Sequence, residues 1–382
     1  MTEDKFKNNA DRHTASEENL RLRLRIEKLE NLIEATGLIA STFNLDKLLD
    51  MIMEIGMKMM NAEGCSILLF DENRKKLEFV AVSGRKKDDL KSMTLKPGEG
   101  IAGWVAEKGE ALLIKDVSAD ARFSDKVDKK LKQTTKSIIC VPLEIKGKII
   151  GAAEVINRKD GLSFNDEALS LFRALSMQSA VAIERSKLYD DLNKLFFSTI
   201  KTLASAIDAK DHYTKGHSER VCAYSIEIGR ALKLDENSLT SLELSAMLHD
   251  IGKIGIPEKI LTKKAFLDEK ERKKIQKHPV IGARMLEPVE QFREIIPCIK
   301  HHHERYGGGG YPAGIEKEVI PFFSRIIAVA DTFDAMTSNR PYRKAFSPGQ
   351  AVSELKKFSG TQFDPGCVEA FLKANRKGRI LK

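Results

Sequence analysis

A chain of 382 residues exceeds what one ordinary hydrophobic core organises, so two domains are expected. With 42% apolar and 31% charged residues it fits a water-soluble chain with long exposed helices, and it offers no run of about eighteen apolar residues to span a membrane. The net charge of +9 comes from Lys and Arg interleaved with Asp and Glu, which argues against a nucleic-acid polymer as partner and suits a small anionic substrate.

The opening MTEDKFKNNADRHTASEEN is polar and lacks the apolar core of a signal peptide, so residues 1–15 are expected to be a disordered tail of a cytoplasmic protein. Over 16–44, Leu20, Leu22, Ile26, Leu29, Ile33 and Leu38 recur near heptad spacing. That pattern is either the seam of a coiled coil pairing two copies or one amphipathic helix packed on its own domain. A second amphipathic helix is predicted over 45–62. The period then falls to two, and 65–71, 76–84, 111–117, 137–145 and 148–158 read as short strands, with a loop and short helix at 97–109. Residues 45–185 are therefore expected to form an α+β module. From 165 to 210 there is neither Gly nor Pro, which predicts one helix of about 65–70 Å carrying the chain into the next domain, with 186–210 as the connection. Helical periods at 217–233, 238–250, 268–277, 279–287, 291–303, 321–338 and 348–372 make 211–382 an all-α domain.

The five cysteines, Cys65, Cys140, Cys222, Cys298 and Cys367, form no CxxC pair, and buried reduced thiols are expected. Of eight histidines, only His13 precedes residue 212; the other seven fall between His212 and His303. Imidazole is the commonest metal ligand and acid/base group, so this clustering points to chemistry in the second domain.

An isolated His-Asp dipeptide, such as His249-Asp250 at the end of an apolar helix, is ordinarily a helix-end histidine beside a solvated carboxylate. Its surroundings change the reading. Lys253 follows inside GKIGIP, where glycines let a backbone approach a phosphate. His278 precedes a proline, His301-His302-His303-Glu304 ends an amphipathic helix before four glycines, and Asp331 lies in an apolar AVAD context that is costly to bury without a partner or a metal.

Two family resemblances follow from quoted residues. Cys65–Asp71, Gly98-Glu99-Gly100-Ile101-Ala102-Gly103, the hairpin 141–151 and Asn157-Arg158 resemble a GAF domain over about 30–185. The resemblance implies a sensor module with a small-molecule ligand, or a dimerising and transmitting module; Asn157-Arg158 stands where cyclic-nucleotide-binding members carry Asn-Lys. The absence of histidine disfavours haem. Further on, Tyr213–Ser218, His249-Asp250-Ile251-Gly252-Lys253, His278-Pro279, His302-His303-Glu304-Arg305, Gly310-Tyr311-Pro312, Asp331–Thr337 and Arg340-Pro341-Tyr342-Arg343 resemble the HD-GYP branch of the HD hydrolases over about 195–375.

That second resemblance implies hydrolysis of cyclic di-GMP to linear pGpG, and on to GMP, with two or three divalent metal ions, iron or manganese. It implies His249, Asp250, His278, His302, His303 and Asp331 as ligands, with His217 auxiliary. Asp250 and Lys253 would be catalytic. Lys253, Tyr311, Arg340 and Arg343 would bind substrate, although Tyr311 could instead shape its loop and the two arginines could instead form surface salt bridges. Two departures stand out. Gly307 occupies the place where the family loop usually carries Asp, which would weaken substrate positioning. Tyr213 stands where three-metal members carry Glu, which points to two metals. The expected partners are the cyclic di-GMP substrate, a small-molecule ligand of the GAF-like module, and a second copy joined through the N-terminal and connecting helices. The alternatives are a catalytically weak signalling protein responding to cyclic di-GMP, and an HD phosphohydrolase for another nucleotide.

Overall fold

The structure, a computed structural model, describes residues 23, 26–27, 29–83, 93–131, 134–210, 216–263, 265–339 and 344–380. The tail 1–15, Tyr213 with its neighbours, and Arg340–Arg343 lie outside the described residues. The chain divides into two compact units, Met1–Asn193 and Lys194–Lys382.

The first unit opens with a helix over 29–41 (α1), then α2 (Leu45–Met60). Asn44 caps α2 by accepting from the Lys47 N–H, and Asn61 ends it in the left-handed conformation at φ 51. Leu48, Leu49, Ile52, Met53, Gly56 and Met60 share its buried face, at the spacing of a helix that covers a sheet. The sheet comprises β1 (Ala62–Phe70), β2 (Leu77–Val82), β3 (Thr94–Leu95), β4 (Leu112–Ile114), β5 (Ile138–Ile145) and β6 (Lys148–Arg158), in the antiparallel order β3-β2-β1-β6-β5-β4. β5 and β6 turn through Lys146 and Gly147, both at positive φ (48 and 81), as a two-residue hairpin loop demands.

Alternation along the strands divides the core into two layers. On one face, Ile67, Leu69, Ile139, Val141, Ala153 and Val155 meet α2 and the start of α5 (Asp166–Lys210) through Phe172, Leu175 and Ile183. On the other, Leu68, Phe79, Ile138, Cys140, Ala152 and Ile156 meet Ile101, Val105 and Ala106 of α3 (Gly100–Lys108). The expected strands are all present. The two-residue β3 and the short α4 (Lys126–Leu131) were not legible, being too short to establish a period.

α5 runs for 45 residues and crosses from the first unit into the second, as a stretch without Gly or Pro allows. The second unit continues with α6 (His217–Ala231), α7 (Glu236–Leu248), α8 (Glu258–Leu261), α9 (Glu269–Ile275), α10 (His278–Leu286), α11 (Ile296–Lys300), α12 (Phe322–Thr337), α13 (Pro348–Lys357) and α14 (Pro365–Arg376). Leu242, Ile299, Ile326, Ile327, Val329, Phe333, Leu355 and Phe371 are among its most enclosed side chains.

Two expected helices need correction. Only Ile296–Lys300 of 291–303 is α-helical, so the three histidines fall in the turn beyond it. The single helix expected over 348–372 is two, because Gly360 adopts φ 81 and Asp364 starts a new helix by accepting from the Gly366 and Cys367 N–H groups. All five cysteines are buried free thiols, as expected.

Phe172 is 1% exposed and Met177, on the same helix, is 54% exposed. Phe172→Ala should cost about 3–5 kcal/mol of first-unit stability, and Met177→Ala less than about 0.5 kcal/mol, both read by urea unfolding.

Candidate metal centre

Helix ends deliver most of the site. His217 is the first residue of α6, and His249 closes α7. Asp250 opens the 3-10 turn Ile251–Gly255, His278 begins α10, His302 and His303 occupy the turn after α11, and Asp331 lies within α12. These seven residues, drawn from a span of more than a hundred, assemble into two groups. Asp250, His278, His302 and His303 form one, and His217, His249 and Asp331 the other, each with ligand atoms within 4.8 Å of one another.

Asp250 stands between the groups. Its Oδ1 is 3.2 Å from His278 Nε2, while its Oδ2 faces His249 Nε2 at 3.4 Å and His217 Nε2 at 3.7 Å. Lys253 Nζ closes on the same Oδ2 at 2.8 Å. His217 Nε2 is also 3.4 Å from Asp331 Oδ1. His217 therefore occupies the second group as fully as His249 does, although the family resemblance implied only an auxiliary place for it.

The donor chemistry fits metal ions. Nδ1 of His249, His278 and His302 each lies 2.6–2.7 Å from a backbone carbonyl (Ala246, Ile275 and Ile299), which fixes Nδ1 as the donor and turns the Nε2 lone pair inward. His278 and His302 then face each other, Nε2 to Nε2, at 3.3 Å, an arrangement two neutral lone pairs do not favour unless a cation lies near them. Among the described residues, buried His249 Nε2 has no well-formed hydrogen bond, only the 3.4 Å approach of Asp250 Oδ2.

Electrostatics sharpen the assignment. Burial, reinforced by the neighbouring imidazoles, holds His302 well below the ordinary histidine range and pushes His303 down to about 3, so both present neutral nitrogens. Burial also opposes the charge on Asp250, but Lys253 and His249 outweigh it and hold the carboxyl well below its usual range. For His249 burial again opposes charge, yet Asp250 and Asp331 together raise it to about 9, so a proton and a bound cation would compete there. A surface ion pair contributes about 0–1 kcal/mol, whereas one uncompensated buried charge costs several; two buried carboxylates need this many partners.

A second layer holds these ligands, and sequence reasoning gave it no role. Asp334, one turn beyond Asp331 and 1% exposed, lies 2.8 Å from His217 Nδ1 and accepts from Arg220 Nε and Nη2 at 2.6 and 3.0 Å. Burial opposes its charge, but these bonds hold its carboxyl below the usual range. The available signal was the i, i+3 spacing of two carboxylates on an apolar helix. Glu304 is 4% exposed and accepts from the Ala313 N–H at 2.7 Å and the Gly314 N–H at 3.1 Å, pinning the loop that carries Tyr311. Tyr311 lays its ring 4.8 Å from that of His303, and burial, with Asp331 adding to it, keeps its hydroxyl protonated. His301 turns to Glu304 at 3.4 Å and belongs to neither group.

Two glycines behave differently from the sequence reading. A Cβ on Gly252 would lie 1.9 Å from the His278 carbonyl oxygen, so this glycine serves the packing of the 251–255 turn on α10, not a phosphate. A Cβ on Gly307 would lie 3.0 Å from the Thr361 carbonyl oxygen, and the Gly307 N–H donates to that oxygen at 2.7 Å. An aspartate at 307 would be tight against the 360–361 backbone, which would have to give slightly to admit it.

Glu304→Ala should leave two backbone N–H groups without their acceptor, cost about 1–3 kcal/mol, and speed amide exchange at Ala313 and Gly314. Hydrogen-exchange mass spectrometry over 304–316 is the check.

The GAF domain family matches residues 44–183 and the HD domain family matches residues 201–367. The chain is 37% identical over 211 residues to a cyclic di-GMP phosphodiesterase of Pseudomonas aeruginosa, covering 54% of this chain and 50% of that protein. It is 37% identical over 218 residues to a cyclic di-GMP phosphodiesterase response regulator of Xanthomonas campestris, covering 56% and 55%. It is also 37% identical over 175 residues to 3'3'-cGAMP-specific phosphodiesterase 3 of Vibrio cholerae, covering 46% and 38%. The chain thus spans about half the length of the first two of these relatives and less of the third. Along its length the chain matches the GAF domain family and then the HD domain family, and it is similar to proteins named cyclic di-GMP phosphodiesterases.

Proposed function

We propose that the second unit hydrolyses cyclic di-GMP to linear pGpG, and on to GMP, under regulation by the GAF domain. The observation that carries this reading is the pair of adjoining His/Asp groups with Asp250 standing between them and Lys253 beside it. Two divalent ions, iron or manganese, would be held by Asp250, His278, His302 and His303 on one side and by His217, His249 and Asp331 on the other. Soft thiolates are absent from both groups, which suits mid-row divalent metals. When bound, such ions neutralise phosphate charge and lower the pKa of water.

The chain's own groups do the rest. Asp250 directs one oxygen to each group and so fixes their spacing. Lys253 brings a point charge for a non-bridging phosphate oxygen. Tyr311, protonated and stacked on His303, offers a hydrogen-bond donor beside the same position. Arg340 and Arg343, proposed to fork onto the phosphates, lie outside the described residues. The relatives named for 3'3'-cGAMP keep a second cyclic dinucleotide among the substrates to be tried.

For the GAF domain we propose a small-molecule ligand whose entry would have to widen the cavity of about 50 Å³ lined by Phe79, Ile101, Phe123, Asp128 and Glu154, where burial pushes Glu154 up to about 7. Asn157 is engaged within the fold, its amide spanning Lys136, Ser137, Thr134 and Glu63, and Arg158 pairs with Asp160. Neither supports a nucleotide-reading role. A homodimer is proposed through the exposed apolar residues Leu29, Ile33 and Leu38 of α1 and Leu188, Leu192 and Leu195 of α5.

His249→Ala and Asp250→Ala should each lose bound metal and turnover together. Lys253→Ala should keep the metal and lose about a hundredfold in rate. Anaerobic purification, metal analysis and product identification on cyclic di-GMP, 3'3'-cGAMP and cyclic mononucleotides test the assignment; full turnover in either of the first two variants would overturn it.

A further inference from the structure

The final turn of α5 touches two separate parts of the site. Asp208 is 4% exposed and accepts from the Ser218 N–H at 3.1 Å and the Ser218 hydroxyl at 2.9 Å. Ser218 is the second residue of α6. The residue before α6 is Gly216, which adopts φ 71 and has no side chain with which to cap the helix. A carboxylate from another helix therefore supplies the missing cap, and it sits where the α6 dipole favours negative charge. What it fixes is the start of α6, and His217 is the first residue there.

Two residues on, Lys210 Nζ donates to the carbonyls of Ile254 at 2.7 Å, Ile256 at 2.9 Å and Lys253 at 3.5 Å. An ammonium has three protons, and this one has three acceptors. The carbonyls belong to the Ile251–Gly255 turn and the residue after it, and that turn carries Lys253. Residues i and i+2 point about 160° apart around a helix. The end of α5 therefore grips the His217 end of α6 on one side and the Lys253 turn on the other.

We propose that Asp208 and Lys210 are positioning residues, Asp208 setting His217 within its ligand group and Lys210 setting Lys253 against Asp250. This rests on reading the site as a metal-dependent phosphodiesterase. In the hydrogen bonds described above neither residue bonds a candidate ligand side chain, and both lie in the last turn of α5.

The test uses the full-length chain stripped of metal and titrated anaerobically with Co²⁺ alone, followed by steady-state kinetics on cyclic di-GMP. Asp208→Ala should weaken one Co²⁺ binding step by about fivefold or more and leave the other within about twofold, and Asp208→Asn, which keeps an oxygen acceptor, should recover most of the loss. Lys210→Met should leave Co²⁺ binding unchanged and lower kcat by about fivefold or more with KM within about twofold, and Lys210→Arg should restore most of the rate. Parental Co²⁺ binding in Asp208→Ala, or parental kcat in Lys210→Met, overturns the role of that residue. Where Asp208→Ala fails to fold by circular dichroism, Asp208→Asn is compared with the parent and decides by the same criterion. A parent chain that binds Co²⁺ but releases no product when loaded anaerobically with Co²⁺, Mn²⁺ or Fe²⁺ refutes the phosphodiesterase reading, and the Asp208 titration then decides this inference.

Discussion

Everything in the second unit is arranged around one electrostatic problem, the burial of Asp250 and Asp331 beside five imidazoles. A carboxylate taken out of water is tolerated only when opposite charge or hydrogen-bond donors surround it. Lys253 contacts Asp250 directly, and the imidazoles of His217, His249 and His278 converge on the two carboxylates from three different helices. The same concentration of inward lone pairs is uncomfortable for the histidines themselves, as the 3.3 Å approach of His278 to His302 indicates. Divalent ions would relieve both strains at once, because they would satisfy the lone pairs and balance the carboxylates.

Helix ends are the natural place for such a site. A terminus leaves backbone groups unused, and here three of those carbonyls, those of Ala246, Ile275 and Ile299, accept from histidine Nδ1. Each imidazole is thereby oriented by the backbone three residues before it, without help from a distant side chain. His217 has no such carbonyl, and Asp334 takes the corresponding place. Arg220 in turn balances Asp334, so the support of one histidine extends through a carboxylate to a guanidinium.

The first unit solves a simpler problem. Its sheet is apolar on both faces and is covered by α2 and the start of α5 on one side and by α3 on the other. Glu154 is the exception, a carboxyl set in line with Ala152 and Ile156 on the α3 face, opposite Ser66 and Cys140 on the neighbouring strands. Burial pushes it toward neutrality, and it borders the cavity proposed for a ligand.

Much of this was legible in the residues themselves. Strand alternation, the Gly- and Pro-free run into α5 and the clustering of histidine reflect local chemistry, which the chain carries wherever it folds. The seven candidate ligands came from the resemblance to the HD-GYP branch, and the clustering of histidine pointed to the same domain. Tertiary structure alone decided which ligand meets which. The division into two groups, the central place of Asp250 and the standing of His217 depend on helix ends that are far apart in sequence. It also decided that Gly252 serves the approach to His278 and that Gly307 faces Thr361, since a glycine records only that space is short, not what fills it. Asp208, Lys210 and Glu304 look like ordinary surface charges along the chain. Their roles exist only once folding brings an unused backbone N–H, a row of carbonyls or an imidazole within hydrogen-bond reach, and no periodicity encodes that distance.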